Sequence, residues 1–339
     1  MATEPKLAII LGAGASFDVC PDEGPILDPS WCPPVVASLF ATKSFDMVLK
    51  DFPAAQALMS SVRTAVRGGK PFEAEIKAHV ENENPYVQRQ VKELPVALQQ
   101  YFFRVSNSYT AEAINYSALV NRTVGQGIRT AFITLNYDTL LEQSLQKVTG
   151  TSFVERNAYI KSNDWLLAKL HGSVDWGYWW ASTASPVSEA VNQFEPPRQG
   201  RDLIQVGLDA DLRRDNVVYY PAMVLPVQGK YDLVCPPEHT TRLEEFLADC
   251  SAYLFIGCSG NDEDLFDFLT SCVRQVLLGG LVTGGIDHTD VRQRFAKKMP
   301  AVLSSPLGRE KHVYQHGFTP FLAEKLDGFL ADLWEYLGR

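Results

Sequence analysis

The stretch from Lys6 to Ser16, KLAIILGAGAS, constrains the fold more than any other part of the chain. Leu7-Ala8-Ile9-Ile10-Leu11 is short, aliphatic and without polar alternation, the pattern of a strand buried on both faces. Gly12-Ala13-Gly14-Ala15-Ser16 follows directly. Two glycines there let the backbone turn sharply and bring amide groups close to an anion. A following helix adds the positive end of its dipole, and a nucleotide phosphate is the usual guest. The dehydrogenase fingerprint is incomplete, because Phe17 stands at the third glycine position and no second strand carries a ribose-binding acid about 20 residues on. A tight strand-to-helix turn without a ligand is the plainer alternative.

A chain of 339 residues can bury a full core. A hydrophobic share of 46% and a charged share of 21% are those of an ordinary globular protein. The net charge of −9 argues against unspecific nucleic-acid or anionic-membrane binding as the main task. No run of about 18 apolar residues exists to span a bilayer. The start MATEPKLAII has neither a basic leader nor a cleavage-type tail. Cys20, Cys32, Cys235, Cys250, Cys258 and Cys272 are scattered, without a C-x-x-C pair, so neither a zinc ribbon nor a disulfide framework is indicated. A reducing cytoplasm is the expected compartment, with no metal.

Four prolines between Asp18 and Pro34 predict a long irregular loop over the site. From about 34 to 127 the spacing is helical, most clearly at Val87, Val91, Leu94, Leu98, Tyr101, Phe102 and Val105, with Pro95 expected to kink or split that helix. Strands are expected at 130–135, 165–170, 217–220, 252–256 and 311–314. Helices are expected at 139–148, closed by Gly150, then from Pro236 through Ala248, from 262 to about 277, and from a Thr319 cap to Leu337. The aromatic, then Ser/Pro/Glu-rich segment 177–200 reads as a surface excursion. Strands alternating with helices predict an α/β fold, a Rossmann-like doubly wound parallel sheet with a large helical insertion. The whole chain, 1–339, reads as one domain: an insertion at about 34–127 and a core formed by 1–33 and 128–339.

Ligands of open parallel sheets lie outside the carboxyl ends of the strands. Four strands end in polar or glycine-rich motifs: GAGAS at 12–16, NYD at 136–138, HGS at 171–173 and GCSGND at 257–262. Each has a plainer reading, since Asp138, Asn261 or Asp262, Ser16 and Ser259 are also good helix caps. Their coincidence at one crevice is the stronger signal. Among the six histidines, only His171 ends a buried strand beside a glycine.

GAGAS, T-L-N-Y-D, L-H-G-S and I-G-C-S-G-N-D-E-D, in that order and spacing, resemble the SIR2 (sirtuin-like) family. They are most similar to the zinc-free SIR2 domains of prokaryotic anti-phage defence systems, and the resemblance spans about residues 6 to 270. It implies NAD+ as substrate, bound in an inverted sense within the sheet. By resemblance, Gly12, Ala13, Gly14, Ala15 and Ser16 hold the pyrophosphate, and Gly257 and Ser259 contact the adenosine half. Asp262 is grouped with them as a cofactor-binding candidate. Asn136 matches the asparagine beside the nicotinamide ribose, Asp138 the nicotinamide-side acid, and His171 the histidine at the ribose hydroxyls. Departures point away from the deacylating sirtuins. Leu135 stands where they have glutamine, FDVCPDEGP lacks their arginine, and only Cys235 and Cys250 lie where they carry a four-cysteine zinc module.

The resemblance therefore implies an NAD+ hydrolase, with Asn136 and His171 catalytic, yielding nicotinamide and ADP-ribose. It also implies conditional activity in anti-phage defence by NAD+ depletion, self-assembly into oligomers, and a partner such as a HerA-type ATPase or a short Argonaute. The chain ends soon after the SIR2 fold, so a separate partner is expected to act as sensor. Alternatives are an NAD-dependent protein deacylase and a nucleotide-sensing module without turnover. Trp176, Tyr178, Trp179 and Trp180 read as a buried or interface aromatic cluster, and Cys258 and Cys272 as core.

Overall fold

The computed structural model describes residues 4–19, 30–40, 42–70, 72–111, 114–182, 203–208, 211–214, 217–225, 234–285, 288–304 and 312–337. Six parallel strands form the main sheet: β1 (Lys6–Leu11), β2 (Arg129–Thr134), β3 (Trp165–Lys169), β8 (Ala252–Ile256), β9 (Leu278–Val282) and β10 (His312–Tyr314). Their order is β10-β9-β8-β1-β2-β3. The chain winds outward from β1 through β2 to β3, then returns to β8 on the other side and winds outward again. The strand order thus reverses between β1 and β8, the place where doubly wound sheets open a ligand crevice. The expected α/β class is the observed one.

Strand β1 explains why the sheet sits in the middle of the molecule. Leu7, Ile9 and Leu11 face a core built with the insertion and the C-terminal helices, while Ala8 and Ile10 face a second core with Leu243, Phe255, Phe266 and Phe295. All five are fully buried, so neither side chain parity meets water. Helices Lys43–Leu49, Pro53–Arg67, Phe72–Val80, Pro85–Ser106 and Asn115–Thr123 lie within the expected insertion. Pro95 does not split its helix: Pro85–Ser106 runs through it. Buried Leu94, Leu98, Tyr101, Phe102 and Val105 anchor this helix, and their packing outweighs the roughly 3 kcal/mol that an interior proline costs.

Three features differ from the sequence expectation. The helix after residue 262 spans Glu263–Cys272 and is followed by β9, LGGLV. Its glycines weaken the strand signal, yet packing requires them. A Cβ at Gly279 would meet the Val302 backbone at 2.5 Å, and one at Gly280 would meet Leu254 Cδ1 at 2.7 Å. Second, the final helix is two, Phe318–Glu324 and Leu326–Leu337. The first is capped by Gly317 and not by Thr319. The Asp18 carboxylate takes over the capping role, accepting from the Phe318 and Thr319 amides at 2.5 and 3.0 Å.

Third, a smaller antiparallel sheet occupies part of the supposed excursion. It contains β4 (Gly172–Ser182), β5 (Leu203–Gln205), β6 (Arg213–Arg214) and β7 (Val217–Met223), in the order β5-β4-β7-β6. Trp176 and Tyr178 are buried there, whereas Trp179 is exposed. The rest of the excursion, 183–200, and residues 20–29 of the expected loop lie outside the described residues, as does Cys20. Cys258 is buried and Cys272 only partly so. Among the described residues no helix is long and apolar enough to cross a membrane.

Candidate active site

Strand register sets the site. Leu11 is in register with Thr134 on one side and Ile256 on the other, and Thr134 with Lys169. Gly12 and Gly257 therefore emerge one residue beyond a common level, and Asn136 and His171 two residues beyond it. Four segments far apart in sequence meet at the carboxyl edge.

The glycines of two of these segments interlock. Gly12 N–H donates to Ile256 O and Gly14 N–H to Gly257 O, both at 3.0 Å. Gly257 has φ +65°, and a Cβ there would lie 2.1 Å from Ala15 N. A Cβ at Gly12 would lie 2.6 Å from Gly257 O. Close approach of two backbones explains these glycines before any ligand is invoked. Ala15 N–H is also used, donating to Gly12 O at 3.0 Å. The turn thus contributes its open shape more than free amide donors.

Asn136 is held from inside. Its Nδ2 donates to Gly12 O at 3.0 Å and to Ser16 Oγ at 2.9 Å, with Tyr116 OH at 3.4 Å. A backbone carbonyl only accepts, so the contact with Gly12 fixes which way the amide points. Its Oδ1 accepts no hydrogen bond among the described residues and faces outward as an acceptor. The Ser16 hydroxyl is buried and turned toward the protein, 2.8 Å from Tyr116 OH.

His171 sits between the two sheets. Gly172 follows it with φ +85°, and a Cβ there would lie 1.9 Å from Ala222 O. Only glycine lets the chain turn from β3 into β4 at this point. Val224 N–H donates to His171 O at 3.0 Å, pinning its backbone from the end of β7. His171 Nε2 lies 3.1 Å from Asp262 Oδ2, while Asp262 Oδ1 accepts from Leu265 N at 2.8 Å and caps the helix there. Cap and site are one residue. Three strand spacings, roughly 14 Å, separate β3 from β8, so the loop 257–262 crosses the ends of β1 and β2 to reach His171. Ser259 lies on this loop; its Oγ accepts from Asn261 N at 3.3 Å, and Arg294 Nε holds its carbonyl at 2.7 Å.

Asp138 is buried, and burial raises its carboxyl pKa against the pull of Lys169 and the Ser16 hydrogen bond. One oxygen accepts from Leu140 N at 3.3 Å, a contact two residues on; the N-cap of Leu140–Thr149 is Thr139, not Asp138. Sequence reading did not single out what lies beneath. Lys169 and Glu142, both fully buried, pair at 2.8 Å, and Lys169 also donates to the Asp138 carbonyl. A lysine inside an apolar strand was the available signal. Burial pushes the Glu142 carboxyl up to about 7 despite Lys169. A folded value above the ordinary 4.5 means this carboxyl adds stability that is full below about pH 4.5 and lost as pH rises through about 7. Glu142→Gln, which mimics the protonated form, should lose less melting temperature between about pH 5 and 8 than the wild type. Parallel melting curves for the two proteins would show that Glu142 does not titrate in this range.

The architecture defines a doubly wound α/β protein with a crevice at its switch point, bordered by glycine turns, an outward amide oxygen and a carboxylate-backed imidazole. A profile of the SIR2-like domain family matches residues 130–276, which include Asn136, His171 and the 257–262 loop. Over this part the chain is similar to the SIR2-like domain family. Among solved structures, a Sir2 homologue mutant in complex with ADP-ribose is 10% identical, with a TM-score of 0.45, covering 98% of this chain and 94% of that one. A Sir2 homologue bound to NAD is 13% identical, with a TM-score of 0.41, covering 98% and 91%. No curated protein matched the sequence. Among the described residues, no group of three or more His, Cys, Asp or Glu side chains is arranged to hold a metal ion.

Proposed function

We propose that this protein cleaves the N-glycosidic bond of NAD+, transferring ADP-ribose to water and releasing nicotinamide. The SIR2-like domain supports NAD+ as the ligand. The observation that carries the reading is the orientation of Asn136: its donors are committed to Gly12 and Ser16, and its oxygen is left for the crevice. An acceptor there orients a water or ribose hydroxyl through its proton. Nicotinamide leaves as a neutral molecule, so the barrier lies in oxocarbenium character at C1′ of the ribose. His171 takes up the proton lost by the attacking water or ribose hydroxyl, and Asp262 stabilises the imidazolium that results. The crevice walls come from Gly12–Ser16, Gly257 and Ser259, with Asp138 at the nicotinamide side.

Unrestrained NAD+ cleavage would drain the host, so the proposal includes conditional activity in anti-phage defence. The switch is a partner protein, such as a HerA-type ATPase or a short Argonaute, and self-assembly, with the insertion as the contact surface. Product analysis separates the chemistries. With NAD+ alone, the activated protein should form nicotinamide and ADP-ribose in equal amounts. Product formation only when an acyl-lysine peptide is added, with O-acetyl-ADP-ribose in place of ADP-ribose, would make it a deacylase. Tight NAD+ binding without products would make it a sensor.

A further inference from the structure

Tyr116 belongs to the last helix of the insertion, Asn115–Thr123, yet its hydroxyl lies inside the crevice wall. It is buried, 2.8 Å from Ser16 Oγ and 3.4 Å from Asn136 Nδ2. We propose that Tyr116 is a positioning residue through which the helical insertion holds Asn136 in its working orientation; this rests on the NAD+ cleavage reading above.

The Ser16 hydroxyl joins the two residues. Its Oγ accepts from Asn136 Nδ2 at 2.9 Å and lies 2.8 Å from Tyr116 OH, a hydrogen bond in which either hydroxyl can donate. Burial raises the Tyr116 pKa well above the usual phenol value, so the hydroxyl stays protonated and able to donate. Tyr116 thereby fixes the Ser16 rotamer, and Ser16 fixes the Asn136 amide. The tyrosine is itself pinned. Its ring packs on Phe318, with centroids 5.8 Å apart. The adjacent Asn115 donates from Nδ2 to Asp18 O at 2.8 Å and to Thr319 Oγ1 at 2.7 Å, and from its amide to Val19 O at 2.7 Å. The first turn of this helix therefore grips the segment leaving the glycine turn, and a shift of the insertion reaches Asn136 through two hydroxyls.

Tyr116→Phe keeps the ring and removes only the hydroxyl. In the activated protein we expect kcat to fall at least about tenfold, with KM for NAD+ within about twofold of wild type. Ser16→Ala combined with Tyr116→Phe should be no slower than the slower single variant. Independently of turnover, the Asn136 carboxamide protons, assigned by their loss in Asn136→Ala, should exchange with solvent at least about tenfold faster in Tyr116→Phe. A lowered melting temperature with wild-type kcat and unchanged exchange would leave Tyr116 a packing residue and overturn the proposal. Inactive Asn136→Ala beside fully active Tyr116→Phe would remove the tyrosine's role alone. Fully active Asn136→Ala would remove the cleavage reading, and the proposal with it.

Discussion

His171→Ala is expected to lower NAD+ cleavage by about a hundred- to ten-thousand-fold, the usual worth of a positioned proton acceptor. The protein should remain folded, because the histidine's structural role is carried by its backbone: Val224 holds His171 O, and the turn belongs to Gly172. NAD+ affinity should change little, since the imidazole acts on the developing proton. Asp262→Asn should be milder, about tenfold, because the carboxylate that backs the imidazole is lost while the imidazole itself remains. The smaller effect follows from the second job of Asp262 as a helix cap, which asparagine also performs. Nicotinamide release by His171→Ala at the wild-type rate, under the same activation, would remove His171 from the chemistry.

Gly257→Ala should be strongly damaging although it adds a single methyl group. A left-handed conformation costs a non-glycine residue about 1–2 kcal/mol. The new carbon would also stand 2.1 Å from Ala15 N and 2.4 Å from Gly14 C, so two backbones must separate. Together these should cost more than about 3 kcal/mol and weaken NAD+ binding in whatever remains folded. Gly150 is the internal comparison. It has φ +73° and closes the helix Leu140–Thr149, but nothing lies within 4 Å of its would-be Cβ. Gly150→Ala should therefore cost only the conformational part, about 1 kcal/mol. Equal melting temperatures for the two variants would show that the loop contact does not matter.

The fold was legible where hydrophobic pattern and buried position agree. β1 and β8 are unbroken aliphatic or aromatic runs, and their expected and observed bounds differ by a residue at most. β9 was hidden because two of its five residues are glycines, chosen for the approach of Val302 and Phe329 and not for strand propensity. The antiparallel sheet was hidden by composition: WGYWWAS reads as irregular, yet Gly177 pairs with Pro221 and Ile204 across two partners.

Within the crevice, the strand-end motifs marked Asn136, His171 and the glycines, because unpaired polar ends of buried strands need a reason. Tyr116 could not be read from the sequence. It lies in an insertion helix, NYSALVNRT, and nothing local says that its hydroxyl crosses to Ser16. The same is true of the His171–Asp262 pair, whose members follow β3 and β8, strands that are not adjacent in the sheet. Even Ser16, visible in the glycine motif, turned out to face inward, since the motif gives the turn but not the rotamer.

The most direct measurement is a crystal structure of Asn136→Ala soaked with NAD+, a variant expected to bind the dinucleotide without consuming it. The account expects the pyrophosphate against Gly12–Ser16, the adenosine half beside Gly257 and Ser259, and the nicotinamide ribose C1′ within a side chain's reach of His171. NAD+ bound elsewhere, such as the groove at the opposite end of the sheet lined by Lys6, Arg129, Trp165 and Arg242, with none at His171, would contradict it.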